Sequence, residues 1–244
     1  MADPAASPRV VSLVPSVTES LLAWSVRPIA VTRFCEHPEL PAVGGTKDPD
    51  LAAIVALAPD LVVVNDEENR RPDADALTAA GLRLHVTHVE AVDEVDPCLD
   101  ALAAAVGVER TAEEREAFHA LGSGPAGPPT AGARARTAFV PIWRRPWMTM
   151  NRATYGASVL ARLGFAGLFD DADERYPAVE LDQVAARHPD LVVLPSEPYP
   201  FRERHRAEVA GLGAEVRLVD GQDLFWWGVR TPAAIDRLRQ SIGA

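Results

Sequence analysis

Four aliphatic residues in a row, Leu61-Val62-Val63-Val64, follow Pro59-Asp60 and run into the polar stretch Asn65-Asp66-Glu67. The pattern returns at Pro189-Asp190-Leu191-Val192-Val193-Leu194, followed by Pro195-Ser196-Glu197. Each copy is preceded by apolar residues at helical spacing, at 51–57 and 181–187. A short unbroken apolar run behind a turn signal predicts a strand buried on both faces, as in a parallel sheet. The two copies lie 130 residues apart, too far for a solenoid repeat. Other pieces keep nearly the same offset. Ser12-Leu13-Val14-Pro15 answers Ala138-Phe139-Val140-Pro141, and Gly81-Leu82-Arg83-Leu84 answers Gly213-Ala214-Glu215-Val216. Three elements repeated in one order predict two similar α/β lobes, each a Rossmann-like three-layer unit.

Along the chain, strands are expected at 9–14 and 28–32, with a helix between them capped by Ser16 or Thr18. A helix opens after Asp48-Pro49, another at Pro72, and a strand covers 82–86. From 92 to about 121 the apolar positions Val95, Leu99, Leu102, Val106 and Phe118 recur at helical spacing. This is one long rigid backbone helix, or two divided by Gly107 and Thr111. A continuous helix of that length spans roughly 40 Å at about 1.5 Å per residue. Residues 122–132 (GSGPAGPPTAG) break regular structure and mark the lobe boundary. The second lobe then holds strands at 136–140, near 167–169, at 191–194 and at 216–219. Its helices are expected at 154–163, 181–187, 202–212 and 232–242. The domains are therefore 1–91, the backbone helix and linker 92–121, and 122–244.

Composition narrows the function. With 244 residues and 48% hydrophobic content the chain can bury two cores. A net charge of −11 removes the electrostatic case for nucleic-acid binding. No window reaches the length of a membrane-spanning helix. The first eight residues carry neither a basic region nor an apolar core, so the protein is expected in the cytosol, or outside it if a leader has been trimmed. Cys98 reads as a small buried hydrophobe.

Ligands of open α/β sheets bind beyond the carboxyl ends of the strands. In the first lobe those positions hold Ser16, then Arg33, Phe34, Cys35 and His37, then Asp66 and Glu67. In the second they hold Trp143, Arg144, Arg145 and Trp147, then Tyr199 and Phe201, then Asp223, Trp226 and Trp227. Four of the five Trp fall in these second-lobe loops. Aromatic residues gathered in loops either form a cleft for a flat, largely apolar ligand or fill an interface between the lobes. Arg33, Arg144 and Arg145 suit carboxylate or phosphate groups. Cys35 and His37 are candidate metal ligands, with Asp66 or Glu67 completing the set; His37 before Pro38 is otherwise a turn residue. The acidic run Asp66-Glu67-Glu68 is either an acid–base pair or a solvated helix start. No Gly-x-Ser-x-Gly elbow, Gly-rich phosphate loop or His-Glu-x-x-His helix occurs, and no catalytic residue is assigned.

The order Ser-Leu-Val-Pro-Ser-Val-Thr-Glu-Ser (12–20), Val-Gly-Gly-Thr (43–46) and Leu-x-x-Ile-x-x-Leu-x-Pro-Asp-Leu-Val (51–62) resembles the substrate-binding proteins of cobalamin and ferric-siderophore ABC importers, the helical-backbone metal receptors. The likeness covers about residues 8–240. It implies two α/β lobes joined by a rigid helix, with a metal chelate held in a shallow cleft between them and no intrinsic cofactor. It implies a non-catalytic binding protein for a corrinoid, haem or ferric siderophore. The ligand contacts would be Ser16, Arg33, Phe34, Glu67, Trp143, Arg144, Trp147, Tyr199, Phe201, Asp223, Trp226 and Trp227. An ABC permease is the partner the resemblance implies, though Arg70 or Arg71 stands where the family's first lobe carries an acidic docking residue. Thr46 and Lys47 stand where its cobalamin-binding members carry an aromatic residue. The competing readings are an enzyme processing such a chelate through Asp66, Glu67 or His37, and a sensor or scaffold whose cleft is a protein interface.

Overall fold

A computed structural model describes residues 8–122 and 136–243; the predicted linker beyond Gly122 lies outside the described residues. The chain divides into two compact units. One comprises residues up to Val89, Val95–Arg115 and Trp227–Val229; the other comprises Glu90–Glu94, Glu116–Trp226 and the chain from Arg230 onward.

The first unit begins with β1 (Val10–Ser12), α1 (Pro15–Ala23) and β2 (Ala30–Val31), then α2 (Leu51–Ala56), β3 (Leu61–Asn65), α3 (Arg71–Ala79) and β4 (Leu84–Thr87). All strands pair in parallel in the order β2-β1-β3-β4. One face carries Val11, Leu13, Val62 and Val64, packed on Ile54 of α2 and Leu77 of α3. The alternate residues Val10, Leu61 and Val63 are buried as fully, so both faces are covered. Each such side chain contributes about 1.5–3 kcal/mol when buried. The cap is neither Ser16 nor Thr18: Val14, two residues before Ser16, is the N-cap, and Pro15 supplies the preset φ of the first turn. The Thr18 hydroxyl instead bonds back to the Val14 carbonyl and to Ser12 Oγ. β4 is an edge strand, and Val86 on it is 57% exposed.

The stretch from 92 to 121 takes the divided form, as α4 (Val92–Val106) and α5 (Ala112–Gly122). Gly107 ends α4 with φ +73, a left-handed conformation that glycine adopts without cost. Arg110 then fixes the junction. Its side chain is wholly buried and pairs with Asp96, Asp100 and Glu114 at 2.6–2.8 Å. Glu114 also accepts the Trp24 indole N–H at 2.8 Å, which binds α1 to the same cluster.

The second unit continues with β5 (Arg136–Phe139), β6 (Trp147–Met148), α6 (Tyr155–Arg162), β7 (Phe165–Gly167), β8 (Ala178–Val179), α7 (Leu181–Ala186), β9 (Leu191–Pro195), α8 (Arg206–Val209), β10 (Glu215–Val219), α9 (Gly221–Phe225) and α10 (Thr231–Ile242). Its parallel sheet runs β10-β9-β5-β7. Taking the strands of each sheet in chain order, both read second, first, third, fourth. The repeated Pro-Asp motif therefore leads into the same strand of the same topology twice. Phe139, Val192 and Leu194 meet Val184 of α7 and Val209 of α8 on one face. The expected helix at 202–212 is broken into 3-10 turns around a single turn of α-helix, and Gly211 lies in the last of them. The antiparallel pair β6–β8 and the short α9 are additions that the sequence pattern did not predict. Among the described residues no helix is long and apolar enough to cross a membrane.

Candidate functional site

In the first unit the strand ends are held by two buried asparagines. Asn65 closes β3, and its side-chain oxygen accepts the amides of Glu67 and Glu68 at 2.9 and 3.0 Å. Asn69 accepts the Asn65 amide at 2.8 Å and donates to the carbonyls of Leu13 and Thr46 at 3.3 and 2.9 Å. These bonds join the end of β1, the Gly44–Gly45 turn and the end of β3. The acidic run 66–68 is thus a loop shaped by Asn65. Asp66 pairs with His88 at 2.8 Å, and the Glu67 carbonyl accepts the Lys47 ammonium at 2.5 Å.

The sequence-predicted residues of this unit fall into different settings. Ser16 is buried at the start of α1. Arg33 is exposed but committed, with one guanidinium nitrogen 2.9 and 3.0 Å from both Asp48 oxygens. Its guanidinium also lies 5.0 Å from the ring of Phe34, which is 53% exposed. Cys35 is half-buried, and burial pushes its thiol pKa up. His37 faces Glu39 at 3.3 Å. Among the described residues no group of three His, Cys, Asp or Glu comes together as a metal site, so Cys35 and His37 do not assemble one with Asp66 or Glu67.

In the second unit the loop after β5 forms a hairpin. Trp143 and Met148 are bridged antiparallel, with Arg144, Arg145, Pro146 and Trp147 between them. The loop after β9 lays Tyr199 and Phe201 against it. Trp143 meets Tyr199 edge-on at 5.6 Å, Tyr199 contacts Phe201 at 4.7 Å, and Phe201 stacks on Trp147 at 5.9 Å and 8°. The relay runs from the core to the surface: Phe201 is buried in the hydrophobic cluster, Tyr199 and Trp147 are half-buried, and Trp143 is 46% exposed. Arg144 is held by Glu208 at 2.6 Å and by the Tyr199 hydroxyl, and these bonds raise its pKa.

Three further candidates sit after β10. Asp223 is 4% exposed and takes Arg230 at 3.2 Å and Arg237 at 2.5 Å, a paired charge inside the fold. Trp227 is buried, whereas Trp226 is half-buried under the Arg230 guanidinium at 5.6 Å. Gly221 brings this segment close to the β9 loop: a Cβ there would stand 2.5 Å from the Glu197 nitrogen and 2.7 Å from its carbonyl oxygen.

His205, absent from the sequence candidates, supports the relay from below. It packs edge-on against Tyr199 and Phe201 at 5.7 and 5.5 Å, and its Nδ1 accepts the Arg202 amide at 2.9 Å. Burial lowers its pKa first, and the Arg204, Arg144 and Arg202 charges add to the shift against an opposing Glu208. A histidine among exposed arginines gave no signal of this role in sequence. The asparagines at β3 gave one: Asn at a strand end makes both donor and acceptor bonds, which Asp cannot.

A family model described as periplasmic binding protein matches residues 10–207. The chain belongs to the periplasmic binding protein family. The vitamin B12-binding protein of Salmonella choleraesuis (strain SC-B67) is 26% identical to it over 198 residues, covering 78% of this chain and 73% of that protein. Among solved structures, the periplasmic vitamin B12-binding protein BtuF of Vibrio cholerae matches with a TM-score of 0.76 at 19% identity, covering 97% of both chains. The periplasmic heme-binding protein RhuT of Roseiflexus sp. RS-1 in apo form matches with a TM-score of 0.77 at 20% identity, covering 97% of this chain and 98% of that one. These likenesses agree in fold, and the family is one of binding proteins rather than enzymes. They overturn the expected cytosolic location, because the family and both structural relatives are described as periplasmic. Net charge, hydropathy and an amphipathic first helix are shared by proteins of either compartment and carried no information about it.

Proposed function

We propose that this protein is a non-catalytic receptor for a flat metal chelate of the corrinoid or haem kind, working in the periplasm and passing its ligand to an ABC-type importer. The observation that carries the reading is the aromatic relay Trp143–Tyr199–Phe201–Trp147 beyond the ends of β5 and β9. Its inner members are fixed by the core, so the exposed indole of Trp143 is presented with little freedom left to lose. A face ordered in advance lowers the entropic cost of capturing a rigid aromatic ligand. The names of the relatives support the ligand class, since they bind vitamin B12 or haem. Phe34 and Trp226 offer further half-open aromatic surface on strand-end loops, while Ser16, Asp223, Phe201 and Trp227 are buried. Glu67 sits on the loop that Asn65 shapes.

The test is a titration of tryptophan fluorescence with cyanocobalamin, cobinamide, hemin and ferric siderophores. Saturable quenching by one chelate, weakened at least tenfold in Trp143→Ala, is the expected result. Absence of saturable quenching by every chelate overturns the reading.

A further inference from the structure

The cations on the strand-end loops are for the most part already spent. Arg33 faces Asp48, Lys47 faces the Glu67 carbonyl, Arg144 faces Glu208, and Arg230 faces Asp223. Arg145 is different. It is exposed at the tip of the Trp143–Met148 hairpin, and among the described residues its side chain makes no hydrogen bond or ion pair. Its backbone has φ +69, a left-handed conformation that residues with a Cβ adopt rarely and that clusters at ligand-binding positions. Arg145 is exposed there, two residues along the chain from Trp143 on one side and from Trp147 on the other.

We propose that Arg145 is the specificity-determining residue of this receptor, selecting a planar chelate that carries carboxylates on its edge over one with a neutral amide periphery. The inference rests on the receptor reading above and deepens it. The chemistry follows from geometry and charge. Trp143 supplies a flat apolar face, and Arg145 beside it supplies five N–H donors in a planar fork that matches a carboxylate. A porphyrin with ionised propionates satisfies both groups at once. The corrin ring's own edge carries uncharged amides, and a cobinamide, which lacks the phosphodiester of the cobalamin nucleotide loop, offers a free guanidinium no anion to pair with. The neighbouring Arg144 cannot serve in its place without giving up Glu208 and Tyr199.

The experiment compares hemin, hemin dimethyl ester and dicyanocobinamide on the intact protein and on Arg145→Gln and Arg145→Lys. A charge-assisted bond lost on either side weakens binding by about ten- to a hundredfold. Hemin should therefore bind about that much more tightly than its ester. Arg145→Gln should lose that factor for hemin and leave the ester unchanged, and Arg145→Lys should recover part of it. Equal binding of hemin and ester, equal binding of hemin by Arg145→Gln and the parent, or tighter binding of dicyanocobinamide than of hemin each overturns the assignment of Arg145 while leaving a chelate receptor in place. No binding of any of the three overturns both. Thermal unfolding of each variant, expected within about 2 °C of the parent because Arg145 is exposed, separates a binding loss from misfolding.

Discussion

The backbone amide of Asn65 donates to the side-chain oxygen of Asn69 at 2.8 Å, so the last residue of β3 is fastened to the loop that leaves it. Through the amide nitrogen of Asn69 the same fastening reaches Leu13 at the end of β1 and Thr46 in the neighbouring turn. Replacing Asn69 with Ala removes two donated bonds and one accepted bond, and strands the carbonyls of Leu13 and Thr46 and the amide of Asn65. The expected loss is about 2–4 kcal/mol of unfolding free energy, measured by urea denaturation. Asn69→Asp keeps the acceptor for Asn65 but faces two carbonyls with a charge, so it should recover little. A loss below about 1 kcal/mol for both variants would show that water replaces the network.

Arg110 is the second point on which local order depends. Its guanidinium is buried among three carboxylates, and Arg110→Met leaves them facing one another at the α4–α5 junction. Removing one side of a buried ionic cluster costs about 3 kcal/mol, toward the lower end of the usual range because Asp96 and Asp100 are partly solvated. The variant should unfold at a lower urea concentration than the parent, and Arg110→Lys should recover part of the loss. A loss below about 1 kcal/mol would argue against the cluster.

Gly221→Ala tests the approach of α9 to the β9 loop. The added methyl meets backbone atoms of Glu197, which move less readily than side-chain tips. A destabilisation of about 1–3 kcal/mol is expected, with a change in Trp226 emission because that residue follows α9. Unchanged stability and emission would mean that the loop shifts freely.

The pH dependence of stability should carry a contribution from His205. Its pKa in the folded protein lies below the ordinary 6.5, for burial and the surrounding arginines disfavour the charged ring. Unfolding therefore takes up a proton once pH drops below the unfolded value. Stability present above about pH 6.5 is lost as pH falls toward the folded value. His205→Gln should flatten the difference in urea midpoint between pH 7.5 and pH 5.5. His85, whose pKa is also lowered by burial and then by Arg83, contributes equally to parent and variant and cancels. Identical pH profiles would remove His205 from the account.

The parts legible in sequence were those whose signal is local and strong. The runs at 61–64 and 191–194 could be placed because strands buried on both faces need uninterrupted aliphatic residues, and both are fully buried. β6 and β8 are two residues long, too short for any alternation to show. Helix α9 was hidden by its own composition, since Gly221 and the aromatic tail read as loop until Asp220 is seen to cap Gln222. For the site, the position of each loop followed from strand polarity, but exposure did not. Phe201 and Trp143 are both aromatic loop residues, and only packing sends one into the core and the other to solvent. Pairings such as Arg33–Asp48 and Arg144–Glu208 join residues 15 and 64 positions apart, a distance over which sequence spacing says nothing.

The free margin of the first sheet has a consequence for handling the protein. β2, at the opposite edge, offers only two residues and cannot template another strand, whereas β4 presents four, with Leu84 half-covered and Val86 open. A groove of about 490 Å³ runs beside it, lined by Leu84, Val86 and Ala74 together with the charged Asp66, Arg71 and Asp75. Under mild stress, chains should begin to associate along β4, and a lysine at Val86 should keep them apart without touching the strand-end loops of the second unit.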